Sequence, residues 1–169
     1  MYIPFDEIDF EARIWIYQAN KVLNHDQAGT LLETLKAATN NWDAHGKPLV
    51  ASAKIFYNRF VVLAVDEANE LPSGCAIDKS VSWMREAGIA MNIDFFDRSV
   101  AWIDGHGDIQ LTALPAVRDL IFQEDILPNT QVFDNLVKTK AEWMTRWKVP
   151  AASTWLKKYF EEKNAQIPG

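Results

Sequence analysis

Two hydrophobic periods alternate along the N-terminal part of the chain, one typical of strands and one typical of helices. The run Arg13–Gln18 is β-branched and aromatic and predicts a strand, and apolar residues at helical spacing follow it from Ala28 to Trp42. Two further apolar runs, 51–57 and 60–65, predict strands, and the pair Asn58-Arg59 between them suits a hairpin turn. Because such a turn is too short for a parallel crossover, these two strands should be antiparallel.

The next stretch adds one more helix and one more strand. Apolar residues from Ile77 to Met91 recur at helical spacing, and residues 98–103 predict a fourth strand. The resulting order, βαββαβ, is that of the ferredoxin-like split βαβ arrangement. We therefore expect an α+β fold with a ferredoxin-like core. The alternative is a doubly wound α/β sheet, which the predicted hairpin disfavours.

Beyond this core the pattern predicts a β-hairpin extension followed by helices. The glycine-containing segment 104–108 is typical of a turn, and residues 109–114 predict an added strand that returns beside the fourth. Apolar residues in the rest of the chain have helical spacing. We expect a single domain over 1–169, with a sheet core at 1–114 and a helical C-terminal extension at 115–169 packed on it.

Charge is unevenly distributed along the chain, whose formal net charge is −6. Residues 1–137 contain 10 Lys and Arg against 20 Asp and Glu, whereas residues 138–169 contain 7 against 3. An acidic main body argues against a phosphate-binding face over most of the surface, so we expect no nucleic-acid partner. The basic C-terminal segment suits a solvated helix face, and an anionic partner is the alternative.

Cysteine usage and hydropathy predict a location in the cytoplasm. A single cysteine excludes an intramolecular disulfide and fits a reducing compartment. The first residues lack the basic and apolar regions of a signal peptide, and no apolar run approaches the roughly 18 residues of a membrane span, so we expect no membrane insertion. Asp104, His106 and Asp108 alternate along one turn, but their spacing fits a hairpin better than a calcium or zinc site. We expect no metal and no cofactor.

The split βαβ topology directs the candidate functional residues to one edge of the sheet. Gly46 and Pro48 are expected to end helix one. In this topology helix one ends where strand three ends and helix two begins, and the turn after strand four reaches the same edge. Its expected members are Trp42, His45, Asp66, Glu67, Cys75, Asp78, Asp104 and His106.

Cys75 is the sharpest candidate for chemistry at this edge. A helix N-terminus stabilises a thiolate, and His45 or His106 would activate the thiol as a nucleophile. The choice of helix cap is open: Ser73 as the cap places Cys75 in the first turn, whereas Asp78 as the cap leaves it in the loop. We take Cys75, His45 and Asp78 as the candidate catalytic residues. The alternative is that Cys75 is a small buried residue of the core.

Two tryptophans in the basic C-terminal third lie on one predicted helical face. Trp143 and Trp147 are four residues apart, a spacing that most often marks packing in a core. The alternative is a surface that binds a partner or a second copy of the chain.

Sequence similarity to a known family lies in five segments, which are MYIPFDE (1–7), RIWIYQAN (13–20), WDAHG (42–46), residues 57–67 and SGCAID (73–78). Together they resemble a small bacterial family without an established activity, whose members often carry the label "ABC transporter ATPase". The label implies ATP binding and hydrolysis, but the chain contains neither G-x-x-x-x-G-K-[ST] nor G-x-G-x-x-G. The resemblance implies no particular catalytic residues.

Two hypotheses of function follow from the sequence. The first is a non-catalytic binding or protein-interaction module, acting as a homodimer or with a protein partner. Its possible binding surface includes Trp42, Asp66, Asp104, His106, Trp143 and Trp147. The second is a thiol-dependent enzyme that uses Cys75 activated by His45. The reactivity of the thiol separates the two hypotheses.

Overall fold

A computed structural model describes residues 1–166 of the chain, which divide into two units. Unit 1 comprises Met1–Asp97 and Lys138–Glu142, and unit 2 comprises Arg98–Val137 and residues 143–166. Both units contain helices and antiparallel strands, so the mixed α+β class is confirmed. No helix within residues 1–166 is both long and apolar enough to cross a membrane.

The elements of unit 1 follow the predicted alternation, with one added hairpin. In chain order they are β1 (Arg13–Gln18), α1 (His25–Asn40), β2 (Asp43–Ala44), β3 (Lys47–Pro48), β4 (Val50–Phe56), β5 (Phe60–Asp66) and α2 (Gly74–Met91).

The main sheet of unit 1 is organised around β5, in which residues 60–65 are completely buried. Such a continuous apolar run, rich in valine, is typical of a strand that is covered on both faces. β5 lies between β1 and β4 and is antiparallel to both, with Leu63 opposite Trp15 on one side and Ala53 on the other. The predicted antiparallel pairing of the second and third strands is thereby confirmed.

The hairpin turn between β4 and β5 lies one residue earlier than the sequence predicted. Tyr57 and Asn58 both have positive φ, 55° and 50°, and the N–H of Arg59 donates to the carbonyl of Phe56 at 3.1 Å. Positive φ at both central residues matches the twist of the flanking strands, and asparagine tolerates this conformation better than most residues.

Single bridges, rather than full strands, lie along the outer edges of this sheet. Tyr2 pairs with β4, and both Thr139 and Phe96 pair with β1, Phe96 in the parallel sense. The predicted fourth strand therefore does not extend beside β1. The Asp94 carboxylate accepts the N–H of Phe96 at 2.8 Å, and this tight local turn limits the parallel pairing to one residue.

Helix α1 ends earlier than expected, and a small hairpin follows it. Asn24 caps the helix in a reciprocal arrangement with Gln27, and the last helical residue is Asn40. The expectation that Gly46 and Pro48 end this helix is wrong. Instead, His45 (φ 52°) and Gly46 (φ 77°) form the two-residue turn between β2 and β3, where positive φ is needed at both positions.

Unit 2 is built on a second antiparallel sheet, in the order β7-β6-β8-β9. Its buried core includes Trp102, Val117, Ile121, Ile126, Val132, Ala151, Leu156 and Phe160. The chain after α2 runs through β6 (Val100–Ile103), β7 (Ile109–Thr112), α3 (Val117–Phe122), β8 (Gln131–Phe133), α4 (Lys140–Arg146), β9 (Lys148–Pro150) and α5 (Lys157–Ala165).

The C-terminal third differs from the prediction of an all-helical extension, because β8 and β9 pair within it. The Asp134 carboxylate accepts the N–H of Leu136 at 3.0 Å and turns the chain directly after β8. Leu136 is exposed, so the apolar residues around it do not form one buried helical face. The strand predicted at 98–103 does exist as β6, but in this second sheet.

The N-terminal turn packs on the face of the unit 1 sheet opposite to α1 and α2, and Lys140 holds it there. The Phe5 ring meets the edge of Phe56 of β4, with centroids 5.6 Å apart. Lys140 is only 5% exposed, and its ammonium donates to the carbonyls of Asp6 at 3.2 Å and Ile8 at 2.7 Å. The same ammonium lies 5.4 Å from the centroid of Phe5. The charge is thus stabilised by two hydrogen bonds and an aromatic face.

We expect Lys140→Met to lower the free energy of unfolding by about 2 kcal/mol, because two buried carbonyls lose a charged donor. Urea denaturation monitored by circular dichroism measures the change. The matched control is Lys36→Met, since Lys36 forms an exposed ion pair with Glu33 and lies 6.0 Å from the ring centroid of Tyr2 but donates to no buried carbonyl among residues 1–166, so its loss should change stability little. Equal effects of the two substitutions would contradict a structural role for the Lys140 contacts.

Candidate functional site

Cys75 lies in the first turn of α2 and is exposed. The Ser73 hydroxyl accepts the N–H of Ala76 at 3.1 Å, so Ser73 is the helix cap and the open choice between Ser73 and Asp78 is decided. Asp78 lies one turn further along and is exposed. The side chain of Cys75 has no hydrogen-bond partner among residues 1–166.

Trp42 packs against the same end of α2 from the core. Its indole N–H donates to the carbonyl of Ala76 at 3.0 Å, and its ring centroid lies 5.1 Å from that of Trp83 and 6.1 Å from that of Trp15. Trp42 is 1% exposed. It therefore belongs to the core beneath the start of α2, and its ring is not available as a binding surface.

His45 is exposed at the tip of the β2–β3 hairpin. No hydrogen bond or ion pair of its imidazole occurs among residues 1–166, so the described structure contains no His45–Cys75 hydrogen bond. Asp66 ends β5, and its carboxylate accepts the N–H of Ala68 at 2.9 Å. Within residues 1–166 no hydrogen bond joins the side chains of His45, Asp66 and Cys75, so their predicted clustering stays a prediction.

The remaining predicted site residues belong to unit 2. The Asp104 carboxylate closes the β6–β7 turn by accepting the N–H groups of His106 at 2.8 Å and Asp108 at 3.0 Å, together with the side chain of Gln110. The hydrogen bond from Gln110, followed by the backbone bonds, lowers the pKa of the Asp104 carboxyl. His106 itself is exposed. No cluster of three or more potential metal ligands occurs among residues 1–166.

Trp143 and Trp147 are stacked with ring centroids 5.5 Å apart. Trp147 is 4% exposed, packs against Phe133 at 4.9 Å and donates its indole N–H to the amide oxygen of Asn135 at 2.9 Å. Trp147 is therefore a core residue of unit 2, which agrees with the structural reading of the aromatic stripe.

A groove of about 690 Å³ lies at the other end of α2, away from Cys75. Met84, Ile93 and Phe95 are buried beneath it. Its rim carries two exposed apolar side chains, Ile89 at 84% and Phe96 at 39% exposure. The groove therefore combines a fixed apolar floor with apolar groups that face water.

Charged side chains line the same groove. Lys21 and Arg85 are exposed, and neither forms an ion pair among residues 1–166. The guanidinium of Arg85 lies 5.8 Å from the ring centroid of Phe96. Asp94 supplies the carboxylate of the lining, and it likewise has no ion-pair partner among the residues described. The rim thus carries unpaired groups of both signs.

Hydrogen bonds fix the segment that forms one wall of the groove. Asn20 and Asp94 are joined twice, through the N–H of Asn20 and the carbonyl of Asp94 at 2.9 Å, and through the N–H of Asp94 and the side-chain oxygen of Asn20 at 2.9 Å. The Phe96 ring then meets Tyr17 edge to face with centroids 5.6 Å apart. Burial raises the pKa of Tyr17, and a hydrogen bond with Ser80 acts in the opposite direction.

The buried side chain of Arg59 binds the residue that precedes Asn20 in this wall. Arg59 is 8% exposed and donates to the carbonyl of Ala19 at 3.1 Å. Burial lowers the pKa of Arg59, whereas the charge of Asp97 raises it. Asp97 also accepts the side-chain amide of Gln18 at 2.8 Å. The wall is therefore fixed by a network of short contacts.

The residues of the groove were not among those singled out in the sequence, although a signal was present. Arg85, Gly88, Ile89 and Asn92 follow the spacing i, i+3, i+4 and i+7 and so share one face of α2. The signal in the sequence is Ile89, an apolar residue on a helix face that otherwise carries Arg85, Gly88 and Asn92. The periodicity of Ile77 to Met91 identifies the core face, but not what the opposite face lines.

Comparisons with known proteins provide no relative for this chain. No protein-family model matches it, no curated protein is significantly similar, and no solved structure matches. Arguments about function therefore rest on the geometry described above.

Gly88 allows the chain to turn back tightly at the end of α2. The N–H of Ile93 donates to the carbonyl of Gly88 at 3.0 Å, and a Cβ atom at Gly88 would lie only 2.6 Å from the carbonyl oxygen of Ile93. We expect Gly88→Ala to lower the free energy of unfolding by about 1–2 kcal/mol, because the clash outweighs the gain in helix propensity.

The matched control for this prediction is Gly29→Ala in α1, where an added Cβ has no atom within 4 Å. This change should raise stability by about 0.5–1 kcal/mol. Urea denaturation of both variants measures the two effects. Stabilisation by both substitutions would show that the turn after α2 tolerates a side chain at Gly88.

Proposed function

We propose that the protein is a non-catalytic binding module that engages a protein partner through the groove at the C-terminal end of α2. The observation that carries the proposal is one concave surface on which unpaired Lys21 and Arg85 flank exposed Ile89 and Phe96. Exposed apolar side chains rimmed by charged ones are typical of protein–protein contact sites. The volume of the groove also lies within the usual range of about 300–1,000 Å³ for binding pockets.

We further propose that unit 1 is a variant of the ferredoxin-like scaffold that keeps its first three strands and both helices. In support, β5 lies between β1 and β4 and is antiparallel to both, which is the arrangement of the first three strands in a split βαβ fold. The single Phe96 bridge lies beside β1 but is parallel to it, whereas a ferredoxin-like fourth strand would be antiparallel. Such a scaffold holds the end of α2 and the following segment at one edge, where the groove forms.

The proposed setting is the cytoplasm, with a protein rather than a nucleic acid as the partner. The acidic character of residues 1–137 supports this choice, because a broadly negative surface repels phosphate backbones. The similarity to the family labelled "ABC transporter ATPase" remains an expectation from sequence. No ATPase activity is proposed, since the chain has no glycine-rich phosphate-binding motif.

Site-specific photo-crosslinking tests the binding function. Ile89→p-benzoylphenylalanine places a photo-reactive group on the rim of the groove, and irradiation of cells that naturally make the protein should give a discrete adduct. The partner in the adduct is identified by mass spectrometry. We expect this because a group on the rim lies within contact distance of any occupant of the groove.

The matched control is Leu71→p-benzoylphenylalanine. Leu71 is also an exposed apolar residue of unit 1, at 63% exposure, but it lies in the loop before α2 and does not line the groove. A discrete adduct from position 89 that position 71 does not give would support the proposal. No adduct from position 89, or the same adducts from both positions, would overturn it.

A thiol-dependent enzyme that uses Cys75 activated by His45 is the second candidate. The observation in its favour is the exposed position of Cys75 in the first turn of α2 behind the Ser73 cap. Against it stands the lack of a hydrogen bond from either side chain within residues 1–166.

Alkylation by iodoacetamide separates the two candidates. Because Cys75 is exposed, the native protein should react without unfolding, and His45→Ala should leave the rate unchanged between about pH 5 and 9. The reaction of the urea-unfolded chain is the control for access. A rate that falls severalfold in His45→Ala, but not in the exposed-histidine control His106→Ala, would instead favour the enzyme.

A further inference from the structure

The rim of the groove carries charges of both signs, so the rims of two copies of the chain are complementary to each other. It carries two cations, Lys21 and Arg85, and the carboxylate of Asp94, which accepts the N–H of Phe96, and none of the three forms an ion pair among residues 1–166. In an interface with two-fold symmetry the same patch occurs on both sides, so it must supply both members of each contact. A partner of one charge sign would instead meet repulsion from part of this rim.

Ile89 provides the apolar part of such a contact. It is 84% exposed, and Arg85 lies one helical turn before it on the same face of α2. A single exposed isoleucine is unremarkable in itself. Here, however, it stands beside a groove whose rim includes a second exposed apolar side chain, Phe96.

We propose that the occupant of the groove is a second copy of this chain, related by a two-fold axis. Ile89 of each copy enters the groove of the other, and Arg85 of each copy faces Asp94 of the other. This inference rests on the proposed binding function of the groove and names its partner. Each copy carries a formal net charge of −6, so the two copies repel each other at long range. The dimer is therefore held by short-range apolar contacts and by the Arg85–Asp94 ion pairs.

Sedimentation equilibrium of the purified full chain tests the proposal over about 1–100 µM, the range in which moderately stable complexes dissociate. The wild-type chain should sediment as a dimer that dissociates on dilution. Ile89→Asp should raise the dissociation constant at least about tenfold, since it places a charge at the apolar centre of the contact twice. Leu71→Asp, at an exposed apolar residue outside the groove, should leave it unchanged.

A charge exchange tests the proposed pairing. Arg85→Asp and Asp94→Arg should each weaken the dimer, and the double variant should regain most of the lost affinity, because the pair is then reversed on both sides. Thermal unfolding of every variant shows whether the fold is intact. If Asp94→Arg alone unfolds the protein, Asp94→Asn with Arg85→Gln replaces the exchange, and the two changes should then be non-additive.

The outcomes separate this inference from the proposed function. A monomer throughout the concentration range, or a dimer insensitive to Ile89→Asp, overturns the second-copy proposal. If position 89 still crosslinks to a different protein, the groove remains a binding site with another occupant. If it crosslinks to nothing, the binding function fails together with the inference.

Discussion

The burial of β5 on both faces is the constraint that the rest of unit 1 satisfies. Its side chains at 61, 63 and 65 lie in the clusters that pack beneath the helices. The alternate residues, equally buried, need a second cover. The turn that contains Phe5 contributes to this cover, and the ammonium of Lys140 holds the turn in place. Because β5 is buried on both faces, other segments of unit 1 must pack on each face of the sheet.

The groove forms where α2, which covers one face of the sheet, ends. After α2 the chain returns to the edge of β1, where Phe96 forms a bridge. Gly88 permits that return within a few residues, and the paired hydrogen bonds between Asn20 and Asp94 fix the returning segment. A tight return leaves Ile89 on the outside of the helix, with no part of unit 1 to cover it. The exposed apolar rim thus follows from the tight return of the backbone after α2.

Local sequence signals were sufficient to predict that β1, α1, β4, β5 and α2 exist, and insufficient for the β2–β3 hairpin and wherever pairing partners decide the outcome. β1 and the β4–β5 hairpin follow from β-branched runs and a short polar interval, both of which act within a few residues. The end of α1 was misjudged because His45-Gly46 suits a helix C-terminus as well as a type I′ turn, and both require positive φ. Whether residues 100–103 pair with β1 or with β8 depends on contacts distant in sequence, which periodicity does not record.

The same distinction applies to the candidate site. The thiol at Cys75 is conspicuous in the sequence because it is unique, whereas a groove is a property of surfaces that meet only in the folded chain. The two sites lie at opposite ends of one helix. Ile89 follows Cys75 by fourteen positions along α2, which corresponds to about 21 Å at the rise of an α-helix. Substitutions at one end therefore share no side-chain neighbours with those at the other, and their effects should be additive. The proposed chemistry at Cys75 and the proposed association at Ile89 can for this reason be tested separately, and a result at either end leaves the other proposal open.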